Sequence, residues 1–148
     1  CNLYGPGDYF HPERSHVIPA LLQRFHAAAR AGDAVVTCWG SGTPRREFMH
    51  VDDVADACAF LLQHYSGEGH LNIGTGSDIT IGELAQMIAG LVGFAGRIEW
   101  DRSKPDGTML KRMDVSRVAA LGWRSRIGFA EGLADTYRWF LDQPALRT

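Results

Sequence analysis

The stretch "REFMHVDDVADACAFLLQHY", from Arg46 to Tyr65, decides the fold class, because a strand pattern in it is followed directly by a helix pattern. Its first part, Arg46 to Val51, is rich in β-forming residues and predicts a strand. The second part has apolar residues spaced three and four apart, which predicts a helix capped by Asp52. The residues predicted to share the inner face of this helix are Val54, Ala57, Cys58, Leu61, Leu62 and Tyr65. A strand that runs directly into an amphipathic helix is typical of α/β proteins.

Strands and helices continue to alternate on both sides of that stretch. The elements predicted before it are a helix at Val17–Ala31, ended by Gly32, and a strand at Ala34–Trp39. The elements predicted after it are a strand entering a turn at His70–Gly76, a helix opened by the capping box of Thr80 and Glu83, a strand at "RIEWD" and a closing helix at "FAEGLADTYRWFL". The pattern therefore predicts an α/β fold.

The composition excludes several classes of protein. A chain of 148 residues, 45% hydrophobic and 22% charged, is an ordinary single globular domain. A net charge of −2 gives no electrostatic case for a nucleic-acid or membrane-surface partner, and no apolar run reaches bilayer length. Cys1, Cys38 and Cys58 have no metal-like spacing, so we expect a reducing, cytoplasmic setting. The opening "CNLYGPGDYF" has no initiator methionine, and we expect a chain cut from a longer one.

Two G-x-G pairs, Gly40 with Gly42 and Gly74 with Gly76, are the nearest approach to a nucleotide-binding loop. Neither pair continues into G-x-G-x-x-G, and there is no P-loop. Tight turns are therefore favoured over dinucleotide binding at both places.

Three polar features could carry chemistry. The segment from Trp39 to Arg46 combines an indole with two arginines, which suits a nucleotide diphosphate but also fits a hairpin with solvated arginines. Asp106, in "KPDG", could accept hydrogen bonds from sugar hydroxyls or be a turn residue. His16, just ahead of the first helix, could be a general acid or base, or a structural residue.

The motifs "NLYGP", "SHVIPALL", "WGSGTPRREFMHVDD", "NIGTG" and "SKPDGT" occur in this order. Together they resemble the GDP-L-fucose synthases, a family within the extended short-chain dehydrogenase/reductase superfamily, over essentially all 148 residues. "NLYGP", "REF-x-HVDD" and "N-x-G-x-G" recur across nucleotide-sugar epimerases and dehydratases. "SHVIPALL", "WGSGTP-x-REF" and "SKPDGT" narrow the resemblance to the fucose synthases.

The resemblance implies a place in a larger enzyme. Residues 1–148 would be the C-terminal part of an extended Rossmann-type fold, mostly its smaller α/β substrate-binding domain, with the N-terminal NADP-binding half absent. Enzymes of this family epimerise positions 3 and 5 of GDP-4-keto-6-deoxy-D-mannose and reduce the 4-ketone with NADPH, giving GDP-L-fucose. The main NADPH loop would lie upstream of this chain, and the longer enzyme would be a homodimer.

The resemblance also assigns residues. His16 matches the family's catalytic histidine and also a cofactor contact. The positions that match GDP-sugar contacts are Arg24, Trp39, Arg46 and Asp106, and those near the nicotinamide end of NADPH are Cys1, Asn2 and Leu3. The family's epimerising cysteine belongs to the absent half, so Cys1 is not assigned that role.

The family's reduction motif, Tyr-x-x-x-Lys, is missing. The tyrosines at 4, 9, 65 and 137 are followed four positions later by Asp8, Glu13, Gly69 and Leu141. We therefore expect the chain alone not to turn over. Two alternatives remain open: another nucleotide-sugar epimerase or dehydratase of the superfamily, and a non-catalytic nucleotide-sugar binding module.

Overall fold

The computed structural model describes residues 1–11 and 14–146, and its elements follow the predicted α/β alternation. The helices are α1 (Val17–Ala31), α2 (Val51–His64), α3 (Ile81–Val92), α4 (Ser116–Ala120) and α5 (Phe129–Leu141), followed by a 3-10 turn at Pro144–Leu146. The strands are β1 (Asn2–Tyr4), β2 (Val35–Trp39), β3 (Arg45–Arg46), β4 (Phe48–His50), β5 (Ile79–Thr80), β6 (Arg97–Asp101) and β7 (Leu110–Lys111).

The strands form three small sheets. In the first, β1 pairs in parallel with β4, and in the second, β2 pairs in parallel with β6. In the third, β3 lies between β5, which is antiparallel to it, and β7, which is parallel. Because β3 and β4 belong to different sheets, the chain passes from one sheet to another at Glu47.

The strand β4 separates two hydrophobic cores. Successive side chains of a strand point to opposite faces, and Phe48 accordingly enters the larger core while Met49 enters the smaller one. The larger core is filled by the inner faces of α1, α3 and α5, with Phe25 and Phe140 fully buried. The smaller core lies under α2 and contains Ala57, Val118 and Trp123 in addition to Met49.

Local sequence signals set the ends of the long helices. The helix α1 occupies the predicted range and ends at Gly32, whose φ of 72° is left-handed and suits glycine. The helix α3 begins with the predicted capping box, in which Thr80 and Glu83 each bind the other's backbone N–H.

The predicted strand at 46–51 was too long, and Asp52 is not the helix cap. The strand β4 is only Phe48–His50, and α2 begins at Val51. The N-cap position is held by His50, whose imidazole Nδ1 accepts the Asp52 N–H at 3.3 Å. Asp52 therefore sits inside the first turn, where its negative charge favours the helix dipole.

The predicted strand at His70–Gly76 is absent, since the structure has irregular backbone there. The predicted inner face of α2 was only partly right: Ala57 is buried with Val54 and Leu61 packed beside it, but Cys58 is exposed and Leu62 is 88% exposed. The helix is rotated because its acids face inward, Asp53 onto the backbone N–H groups of 126–127 and Asp56 onto the Trp123 indole N–H at 2.8 Å.

None of the helices in the described part of the chain has the length and apolar character needed to cross a membrane.

The two cores give a direct stability test. Phe25→Ala removes a ring with no exposed surface, and we expect the free energy of unfolding to fall by about 3–5 kcal/mol. Leu62→Ala, at an exposed position, should change it by less than about 0.5 kcal/mol. Denaturant unfolding measures both values. A large loss for Leu62→Ala would contradict the rotation of α2.

Candidate functional site

The first G-x-G turn encloses a carboxylate instead of a ligand phosphate. The Asp106 side chain accepts the Ser41 backbone N–H at 2.8 Å and the Ser41 hydroxyl at 2.6 Å. Gly40 has a φ of 81°, and a Cβ there would overlap the Asp106 carboxylate. The Ser41 hydroxyl, and then the Ser41 N–H, hold the pKa of the Asp106 carboxyl below its ordinary value.

Three of the predicted substrate residues meet around the loop 103–108. Trp39 ends β2 with 68% of its surface exposed, and the Lys104 ammonium lies 5.6 Å from the centre of its ring. Arg46 is half-buried and donates to the Thr108 carbonyl. Together with the Asp106 contact, these bonds bring an exposed indole, a guanidinium and a carboxylate to one loop.

Arg24 reaches the same strand from α1. Its guanidinium donates to the Thr37 carbonyl at 3.1 Å, two residues before Trp39. Thr37 and Trp39 are both exposed residues of β2, so their side chains share a face of that strand. Burial raises the pKa of the neighbouring Cys38 thiol, and the Arg24 charge opposes that rise.

His16 is the N-cap residue of α1, but its side chain makes no capping hydrogen bond and is exposed. Within residues 1–11 and 14–146, no hydrogen bond or ion pair joins His16 to the four predicted substrate residues. Arg24 lies eight residues further along α1, about 12 Å away by helical rise. The imidazole is therefore free to meet a ligand.

The predicted cofactor residues lie on and beside β1. Asn2 donates its backbone N–H and its side-chain amide to the Glu47 carbonyl, each at 3.0 Å. The Cys1 thiol donates to the Ile73 carbonyl at 3.6 Å, and Leu3 is 45% exposed. A cavity of about 380 Å³ beside them is lined by Cys1, Asn2, Glu47, Lys111, Arg112 and Met113.

Glu47 is a buried residue that sequence reasoning missed. Its carboxylate accepts the backbone N–H groups of Thr75 at 2.6 Å, Gly76 at 2.7 Å and Met113 at 2.6 Å. Gly76 has a φ of 73°, and a Cβ on Gly74 would overlap the carboxylate. The second G-x-G pair is thus also a tight turn around an internal anion. The sequence did offer one signal for this residue: Glu47 is an acid inside the predicted strand at 46–51, where an apolar residue would be expected.

A second cavity, of about 320 Å³, is lined by Arg46, by Phe48 of β4 and by residues 125–129 at the start of α5. Sequence reasoning did not find its polar lining, which includes Ser77, Asp78, Ser125 and Arg126. The Asp78 carboxylate is paired with Arg45 and, at 3.2 Å, with Arg112, so it joins β3 to the segment after β7. Burial, followed by the charge of Asp53, raises the pKa of the Tyr4 hydroxyl in this cavity.

The described residues hold no cluster of three or more His, Cys, Asp or Glu side chains arranged to bind a metal. Their candidate ligand groups are cationic, aromatic and hydroxyl-bearing. Such groups suit a phosphorylated organic ligand.

Comparison with known proteins places this arrangement in a family. The sequence profile of the NAD dependent epimerase/dehydratase family matches residues 1–74. The chain is 56% identical over 140 residues to GDP-L-fucose synthase 1 of Arabidopsis thaliana, covering 95% of this chain and 43% of the plant protein. It is 52% identical over 150 residues to GDP-L-fucose synthase of Escherichia coli K12, covering 95% of this chain and 47% of that protein.

A solved structure has a similar fold. A GDP-L-fucose synthetase from Naegleria fowleri bound to NADP has a TM-score of 0.89 and 29% identity, over 95% of this chain and 44% of that one. The α/β fold is therefore Rossmann-like, as predicted. The chain spans somewhat less than half the length of the curated relatives it matches.

The Asp106 contact predicts a titration. Ser41→Ala removes the hydroxyl donor and keeps the N–H, so the Asp106 pKa should rise toward its ordinary value. Because the folded pKa is lowered, any stability that this bond contributes is present at neutral pH and is lost as the pH falls through the folded pKa. Carboxyl NMR titration measures the shift.

The matched control is Ser103→Ala, since Ser103 holds the pKa of Asp101 down in the same way. It should raise the Asp101 pKa and leave that of Asp106 alone. An Asp106 pKa that is the same with and without Ser41→Ala would contradict the hydrogen bond between Ser41 and Asp106.

Proposed function

We propose that this chain, which belongs to the NAD dependent epimerase/dehydratase family, is the nucleotide-sugar-binding part of a GDP-L-fucose synthase. The observation that carries the proposal is the meeting of Trp39, Arg46 and Asp106 around the loop 103–108. Identities of 52% and 56% to proteins of that name support it.

The proposed ligand contacts follow from the chemistry of the side chains. An exposed indole offers a face for the base, and a guanidinium can hold phosphate oxygens bidentately. We assign these roles to Trp39 and Arg46, with Arg24, which binds the Thr37 carbonyl of β2, as a second cation. Asp106 is acceptor-only, so its place in the site suits ribose or sugar hydroxyls that approach the oxygens it already offers to Ser41.

The proposed reaction needs an acid or base on the substrate. A 4-ketone acidifies the neighbouring sugar protons, so each epimerisation removes a proton from one face and returns one to the other. We assign one of these transfers to His16, whose imidazole is exposed at the start of α1 and is a side chain that can accept and donate a proton. NADPH, when bound, supplies the hydride that reduces the ketone.

The residues on β1 fit the nicotinamide end of such a cofactor. Cys1 and Asn2 line the cavity of about 380 Å³, where Lys111 and Arg112 add positive charge. The Asn2 amide N–H is held by the Glu47 carbonyl, which fixes the side chain so that its oxygen can accept from a carboxamide. We propose that Cys1, Asn2 and Leu3 border the cofactor, with His16 between cofactor and substrate.

In this proposal the chain is the C-terminal portion of a longer enzyme. It spans 43% and 47% of two curated relatives, and it contains neither a glycine-rich dinucleotide loop nor Tyr-x-x-x-Lys. We propose that a preceding NADP-binding segment supplies both, and that the longer enzyme is a homodimer. The cysteines of this chain, Cys1, Cys38 and Cys58, are free thiols, which supports a cytoplasmic, reducing location.

Nucleotide binding tests the proposal on this chain. GDP should bind at least about tenfold more tightly than UDP, because the two-ring guanine base stacks on the exposed Trp39 indole over more area than uracil does. Arg46→Ala should weaken GDP binding about tenfold or more, since a charge-assisted contact is removed. Calorimetric titration measures these affinities.

The control is Arg138→Ala, which removes a guanidinium from the exposed surface of α5. It should bind GDP like the unchanged chain. Equal affinity for GDP and UDP would favour another nucleotide-sugar enzyme of the family, and no binding of either would overturn the proposal.

Catalysis tests the role of His16. In the chain rejoined to the coding segment before it, His16→Asn should lower the rate of NADPH consumption about 100-fold or more and leave GDP affinity unchanged. His70→Asn, at another exposed histidine, is the matched control and should retain full activity. Wild-type turnover by His16→Asn would rule out the assigned role.

A further inference from the structure

Glu47 lies where the chain leaves β3 and enters β4, and its side chain has no exposed surface. The residue before it is Arg46, the proposed phosphate ligand. Burying a carboxylate is costly unless its charge is compensated. The groups that Glu47 binds therefore indicate its role.

The backbone of Glu47 joins two other strands. Its carbonyl accepts both the N–H and the side-chain amide of Asn2, the proposed cofactor contact. Its own N–H donates to the Lys111 carbonyl at 3.1 Å. One residue thus fixes the start of β1 and the end of β7 relative to Arg46.

The carboxylate of Glu47 fixes two more segments. Its Oε1 accepts from Thr75 and Gly76, and its Oε2 accepts from Met113 at 2.6 Å. No ion pair to Glu47 occurs among the residues that the structure describes. The negative charge is therefore compensated by backbone N–H dipoles, which impose their direction on the loops that carry them.

We propose, resting on the function proposed above, that Glu47 is a positioning residue of the nucleotide-sugar site. It holds the cofactor end at Asn2 and the nucleotide end at Arg46 in one geometry, and it fixes the segment 111–113 between them. The residue acts through these groups and does not touch the ligand.

The substitution Glu47→Gln distinguishes the contacts of one carboxylate oxygen from those of the other. The amide oxygen can still accept from Thr75 and Gly76, but the amide NH₂ must then face the Met113 N–H. Two donors facing each other cannot bond. The variant should therefore release the segment 111–113 while the turn at 74–76 stays in place.

The experiment compares Glu47→Gln with the unchanged chain by GDP titration and by amide hydrogen exchange. We expect GDP affinity to fall about tenfold, because the released segment 111–113 must be ordered again when GDP binds. Exchange should quicken at Met113 and stay slow at Thr75 and Gly76. The charge-matched control, Glu68→Gln in an exposed loop, should change neither measurement.

A second variant guards against misfolding. Met113→Pro removes the same N–H donor and leaves Glu47 intact, so it should also weaken GDP binding. Wild-type GDP affinity in folded Glu47→Gln or Met113→Pro would overturn the positioning role. Failure of the unchanged chain to bind GDP would instead overturn the proposed function, and the exchange at Met113 would still report the contact itself.

Discussion

The buried Glu47 carboxylate, held by backbone N–H groups of two loops, is the contact on which the candidate site depends. Asp53 makes a similar contact after β4, where it accepts the N–H groups of Arg126 and Ile127 at 3.0 and 3.1 Å. These two acids bracket a strand of only three residues and anchor it to loops from distant parts of the chain. Since a buried charge requires its partners, either contact is expensive to break.

Both G-x-G turns share one physical explanation. Glycine allows the backbone to approach an anion closely, and in nucleotide-binding loops that anion is a phosphate. Here the anions belong to the protein: Asp106 fills the turn at 40–42, and Glu47 fills the turn at 74–76. In the proposed function, the cations and the indole near the loop 103–108 recognise the nucleotide. This division of roles is consistent with a chain that carries the sugar-nucleotide side of a family enzyme.

Features that depend on neighbouring residues could be predicted from the sequence, whereas features that depend on distant residues could not. The bounds of α1 and the capping box of α3 depend on neighbouring residues, so periodicity and caps found them. The turn at 74–76 depends on a carboxylate about 28 positions away, and the rotation of α2 depends on loops beyond residue 120. For the same reason, residue type alone could nominate Trp39, Arg46, Asp106 and His16 as groups that could carry chemistry, whereas the loop that unites the first three needed the structure. The family resemblance assigned these residues their roles and added Arg24.

The most direct test of the central claim, that this chain binds a guanine nucleotide through the loop 103–108, is a crystal structure of the chain with GDP. The expected result is electron density for guanine beside Trp39 and for the phosphates at Arg46. The same structure should show the Glu47 carboxylate still bound to Thr75, Gly76 and Met113. GDP seated in either G-x-G turn, or away from these residues altogether, would contradict the claim.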